Sequence, residues 1–138
     1  MSDTPRVYKW SELAKEQLRG GMIERAAVRT DGAIVTLNWF KPDRTAVEPH
    51  SHPYDQLALV ISGKVLMLIG DKEYICEAGS AVYIPKNMPH TSKPLGTEPQ
   101  FIIDVFAPAR EDYLYFAVNQ PDWGEAPKVE NAGGHLRD

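Results

Sequence analysis

Apolar segments in this chain are short, and nearly every one ends at a turn residue. Eleven prolines and ten glycines are scattered along 138 residues, with no tract of either. That spacing favours many short elements joined by turns over a few long helices. Residues 22–28 form a candidate strand, and 33–40 form a stronger one, rich in β-branched and aromatic side chains. Asp31-Gly32 between them is a tight-turn pair. Segments 57–61 and 64–69 flank Ser62-Gly63 as a hairpin, 73–76 follows Gly70-Asp71, and 81–84 is stopped by Pro85. The last clear strand is 101–106. The pattern predicts an all-β sandwich or small barrel. Before it, Ser11 can cap a short helix through Leu18 that Gly20-Gly21 ends, packed outside the main body. The expected organisation is one domain: an N-terminal segment over 1–21, a barrel over 22–116 and a tail over 117–138. The end of that tail, 121–138, holds Pro, Gly and charge without period, which predicts disorder or a surface strap.

Charge narrows the partners. Net charge is -4, pI is about 5.5, and the 15 basic residues form no dense run. This speaks against a nucleic-acid or anionic-membrane surface. Cys76 is the single cysteine, so no internal disulfide is possible and it reads as a small strand residue. The N-terminus has no apolar signal core, and stretches such as 57–61 are far too short to cross a bilayer. The expectation is a cytosolic protein.

The strongest chemical signal is Pro49-His50-Ser51-His52-Pro53-Tyr54-Asp55-Gln56. Extended chain alternates faces with period two, so His50 and His52 point the same way. Gln56 meets the same point if the chain stays extended past Pro53. His90 lies far along the sequence, in a turn that Pro85 and Pro89 fix. A His-x-His pair alone is often a surface accident. Here three of the four histidines fall in two proline-bounded segments. The expectation is one divalent metal ion on His50, His52, Gln56 and His90, with Zn, Ni, Fe, Mn and Co all compatible.

These segments resemble the cupin double motif. The first half reads His50-x-His52, Gln56, Gly63, and the second reads Gly79, Pro85, His90. The resemblance covers residues 34 to 106. Two departures stand out: Gln56 where Glu is usual, and Asn87 where a glycine follows the proline. The resemblance implies a jelly-roll barrel with the metal inside, and a homodimer. Three imidazoles and a neutral amide leave the ion its full charge, which favours anionic ligands and non-redox chemistry.

A second constellation lies at 101–106. Ile102, Asp104 and Phe106 share one face of that strand. Asp104 either faces solvent or faces the interior as an acid-base group beside the metal. Arg110, past the bend at Pro108, either folds over the barrel mouth or pairs with Glu111 or Asp112. The stretch from Asp104 to Leu114, with His50-Ser51-His52-Pro53 and Gln56, resembles KdgF-type pectin-degradation cupins, which open the ring of unsaturated uronates. By position, the resemblance makes Asp104, Phe106 and Arg110 the residues beside the metal; apart from it, Tyr83 and Lys41 are further candidates for pocket lining. The implied function is ring opening of a 4,5-unsaturated uronate, a small anionic substrate, to a keto acid. The rivals are a metal-dependent oxygenase or lyase on another small acid, and a non-catalytic acid-binding cupin.

Overall fold

Alternating burial builds nine strands in the computed structural model, which describes residues 5–46 and 48–117. They are β1 (Glu16–Leu18), β2 (Ile23–Arg29), β3 (Ile34–Phe40), β4 (Gln56–Ser62), β5 (Lys64–Ile69), β6 (Lys72–Glu77), β7 (Ala81–Ile84), β8 (His90–Leu95) and β9 (Gln100–Phe106). One sheet runs β1-β2-β3-β9-β4-β7 and the other β6-β5-β8, with antiparallel pairing throughout. This is the all-β jelly roll that the sequence predicts. Among the described residues, no helix is long and apolar enough to cross a membrane.

The two sheets share an interior. Ala58 and Val60 of β4, Val65, Met67 and Ile69 of β5, Cys76 of β6, Ile84 of β7 and Ile102 of β9 form one buried cluster. Each aliphatic side chain of valine size or larger buried this way contributes about 1.5–3 kcal/mol. A second cluster joins Leu18, Ile23, Ala27, Ile34 and Phe106 to Tyr113 and Leu114. The last two come from a 3-10 segment, Glu111–Ala117, which folds back on β2. At the β4–β5 turn, Gly63 has φ +81, and a Cβ there would lie 2.7 Å from the Pro99 carbonyl oxygen. Only glycine fits both the dihedral and the space.

Two elements differ from the sequence reading. The expected helix from Ser11 to Leu18 is instead a 3-10 turn, Trp10–Glu12, followed by strand β1. Leu18 is 1% exposed, and β1 pairs along β2, where the side chain of Gln17 donates to Glu24 at 2.7 Å. Sheet pairing satisfies the backbone and buries Leu18 together, which an isolated outer helix cannot do. Strand β8 carries Pro94 and two lysine- or serine-bearing positions, so its sequence does not read as a strand. The tail at 121–138 lies outside the described residues.

Candidate active site

Backbone pairing between the two histidine segments assembles the site. His50 and His90 exchange both backbone hydrogen bonds, at 3.0 and 2.9 Å, as an isolated antiparallel bridge. The Asn87 amide donates to the His52 carbonyl at 2.7 Å. Asn87 adopts φ 64, a left-handed conformation that asparagine tolerates better than most residues. The departure from glycine at this position therefore keeps the turn. The imidazole centroids stand 4.5 Å apart for His50–His90, 4.9 Å for His52–His90 and 6.2 Å for His50–His52.

Each ring has one nitrogen engaged with the backbone. His52 Nδ1 donates to the Tyr54 carbonyl and His90 Nδ1 to the Met88 carbonyl, both at 2.9 Å, and His50 bonds the backbone of Glu48. This fixes the tautomer and bares the second nitrogen. His90 Nε2 is buried without a hydrogen-bond partner. His52 Nε2 faces Gln56 Oε1 at 3.0 Å. The Gln56 amide is held in that orientation because its Nε2 donates to Asp104 Oδ1 at 2.9 Å.

Two lone pairs therefore oppose each other between His52 and Gln56. Protonating the ring is resisted: burial first, then the Arg110 and His90 charges, pull the His52 pKa down to about 4. Burial, then His90 and His52, pull His50 to about 4 as well, and burial lowers His90. A cation at this point relieves the opposition, so the three bare nitrogens and the Gln56 oxygen fit a divalent ion. As they stand, no three His, Cys, Asp or Glu side chains among the described residues already form a metal cage. The fit rests on the mixed donor set and its orphaned nitrogen.

Beside the donors lies a cavity of about 470 Å³, within the range of small-ligand sites. His50, Gln56, His90, Asp104, Phe106 and Arg110 line it, and His52 sits behind Gln56. Strand register explains the placement: Asp104 is opposite Thr36 on β3 and Ala58 on β4, both buried, so it shares their inward face. Its Oδ2 accepts from Asn38 Nδ2 at 3.2 Å. Burial raises the Asp104 pKa, against the opposing pull of the Gln56 hydrogen bond and of Arg25, His90 and Arg110. Phe106 is 1% exposed and meets the His52 ring edge-on at 5.7 Å.

Arg110 reaches the cavity as a buried ion pair. It is 2% exposed, with Nε and Nη2 donating to Asp112 at 2.6 and 2.9 Å. Its Cζ lies 3.8 Å from the Tyr113 ring centroid. Tyr83 and Lys41 do not line this cavity, which corrects the sequence reading. Tyr83 is 60% exposed on the outer face opposite Leu57, where its hydroxyl donates to Asp55. Strand alternation gives the inner positions of β7 to Val82 and Ile84. Lys41 is exposed beside a separate shallow depression with Trp39 and Phe101.

The sequence reading missed Arg25, Asn38 and Arg44. Arg25 and Asn38 are opposite one another on the inward faces of β2 and β3, with Arg25 Nε donating to Asn38 Oδ1. A polar residue on the apolar face of a candidate strand was their available signal. Arg44 sits in an irregular loop that has no periodicity to read.

Comparison with known proteins agrees with this architecture. Residues 39–106 match the cupin domain. H2HPP isomerase of Bacillus subtilis is 30% identical over 103 residues, which is 74% of this chain and 39% of that protein. The structure of KdgF from Halomonas sp. superposes with a TM-score of 0.72 at 23% identity, covering 80% of this chain and all (100%) of the other. An RmlC-like cupin from Shewanella frigidimarina superposes with a TM-score of 0.68 at 21% identity, covering 82% and 99%. With its paired histidine segments, its two antiparallel sheets and the domain match, residues 39–106 of the chain form a cupin domain.

Proposed function

We propose that the protein is a metal-dependent, non-redox enzyme that opens the ring of a 4,5-unsaturated uronate to its linear keto acid. The observation that carries this reading is the single amide of Gln56, which joins the imidazole cluster to the Asp104 carboxyl inside one cavity. His50, His52, His90 and Gln56 would hold the ion, which would supply positive charge to substrate oxygens. Asp104 handles protons. It delivers one to C4 of the C4=C5 double bond and takes one from the water whose oxygen joins C5. As the C5–ring-oxygen bond of the C5 hemiketal breaks, the C5 hydroxyl proton passes to the ring oxygen, giving the C5 ketone and a C1 hydrate that loses water to the aldehyde, with no net oxidation. A raised carboxyl pKa suits this cycle, because the acid form is then accessible nearer neutrality. Phe106 walls the cavity and orients the sugar.

The KdgF resemblance over Asp104 to Leu114 supports the uronate choice. The isomerase relative favours a second reading, proton-transfer isomerisation of a different small acid by the same carboxyl. Metal analysis with a screen of unsaturated uronates tests the first, following loss of the conjugated double-bond absorbance. Asp104→Ala is expected to abolish turnover with metal content retained, and His90→Ala to lose the metal. Full turnover by Asp104→Ala rejects the assignment, and inactivity on every unsaturated uronate transfers the case to the isomerase reading.

A further inference from the structure

The cavity contains a second charged feature that the histidine cluster does not use. Arg44 is 6% exposed, and its Nε is buried without a hydrogen-bond partner. Nη1 donates to the Ser92 carbonyl at 3.1 Å, and Nη2 to Ser92 Oγ at 3.0 Å and, at a stretched 3.5 Å, to Gln100 Oε1. All of these acceptors are neutral. The acidic residues of the lining, Glu48 and Asp104, do not hydrogen-bond it among the described residues. The guanidinium lies over the Phe40 ring, 4.6 Å from its centroid. Burial, then the nearby Arg19 charge, lower its pKa to about 10, so it remains a cation at neutral pH. A buried cation among neutral groups is costly unless a counter-ion arrives.

The other buried arginines of this cavity are engaged differently. Arg110 gives its Nε–Nη2 edge to Asp112, and Arg25 gives Nε to Asn38 and Nη1 to Tyr113. On Arg44, Nε makes no hydrogen bond, and Nη2 is shared between Ser92 Oγ and the stretched Gln100 contact. The Nε–Nη2 edge is closed to water in this rotamer, and a turn of the side chain toward the cavity it lines presents that edge to a planar carboxylate in two parallel hydrogen bonds. Ser92, which holds the opposite edge, lies two residues beyond His90 on β8. At a rise of about 3.3 Å per residue, it sits about 7 Å from His90 along the strand. Arg44, Ser92, His90 and His50 all line the one cavity.

We propose that Arg44 anchors a carboxylate of the cavity's ligand, leaving the ligand's remaining oxygens to face the histidines. The ligand class is a compact hydroxy acid long enough to span from Arg44 to His90. This deepens the uronate reading and rests on it only for which acid is bound. The recognition itself applies to any small carboxylate.

Binding and turnover must be measured separately. The full-length protein is titrated calorimetrically with galacturonate and, as the neutral counterpart, with galactose. Wild type is expected to favour the acid. Arg44→Met is expected to lose that preference by roughly 10-fold or more, the loss of a charge-assisted pair. Arg44→Lys keeps charge and stem without the fork, guards against a folding defect, and is expected to fall between. Thermal melts confirm that each variant is folded. Equal acid preference in folded Arg44→Met and wild type overturns the proposal, as does a wild type that binds galactose as well as the acid. The same variants are assayed on an unsaturated uronate. Arg44-dependent acid binding without turnover rejects the uronate reading and leaves the anchor standing. Turnover with KM unchanged in Arg44→Met does the reverse.

Discussion

Arg110 separates two accounts of the site, and Asp112→Ala decides between them. In the structure the guanidinium is 2% exposed and its side-on fork is held by a carboxylate whose side chain is itself 20% exposed. Removing one partner of a buried pair leaves an uncompensated charge and costs about 3–5 kcal/mol. Two features place this case at the lower end. Water reaches Asp112 in part, and the rings of Tyr113 and Phe106 stay 3.8 and 5.2 Å from the cation. The expected loss is about 3 kcal/mol, or roughly 10 °C in Tm for a domain of this size. The assay is urea unfolding followed by near-ultraviolet circular dichroism, which reports the packing of the aromatic side chains, Tyr113 among them. The midpoint should fall with the slope unchanged. Binding of galacturonate should change little, because Arg110 stays stacked between its rings. If Asp112→Ala is as stable as wild type and binds the acid more tightly, Arg110 is a substrate arm held in reserve by Asp112, and the structural role argued here is wrong.

The remaining expectations concern the histidine loops and the tight turn. His50 and His52 have folded pKa values near 4 against an ordinary 6.5, so the unfolded chain takes up protons first as pH falls. Their contribution to metal-free stability is full above about pH 6.5 and is lost as pH drops toward 4. Asp104, with a raised pKa, acts oppositely, its contribution being present below 3.8 and lost as pH rises through its folded value. With the opposing carboxyl removed, urea midpoints of chelated Asp104→Asn protein should decline between pH 7.5 and 4.5, and a flat profile contradicts the reading of the histidines. Asn87→Gly should be near neutral and Asn87→Val should cost about 1–2 kcal/mol at φ 64, read as urea midpoints. Gly63→Ala should cost about 1–3 kcal/mol, because backbone at Pro99 blocks the new Cβ, and an unchanged midpoint would mean that the turn relaxes freely.

Period and spacing made much of this legible. Alternation at 101–106 put Ile102, Asp104 and Phe106 on one face, and the register to Thr36 and Ala58 made that the inward one. Alternation alone could not choose the face, because the choice depends on neighbours distant in sequence. Tyr83 failed for the same reason in reverse: among the described residues β7 ends its sheet, and parity with Ile84 turned the ring outward. β1 was misread because local helix signals at Ser11 and Gly20-Gly21 carry no information about β2, whose pairing decides the matter. Arg44 was invisible because its burial comes from β8 and β9, which its own loop does not announce.

The neutral residue at position 56 is explained by the one at position 104. Gln56 Nε2 stands 2.9 Å from Asp104 Oδ1, and Oε1 stands 3.0 Å from His52 Nε2. A glutamate here would set two carboxylates at hydrogen-bond distance in a buried cavity, and one of them would have to hold a proton. An amide has a donor for Asp104 and an acceptor for the imidazole side, so it satisfies both at once. Asn38 repeats the device on the other oxygen, donating to Asp104 while its own oxygen accepts from Arg25. Two amides thus clamp one carboxyl between an arginine and the histidine cluster. The inward acid and the glutamine are a coupled pair, and the departure at position 56 is intelligible only with Asp104 beside it.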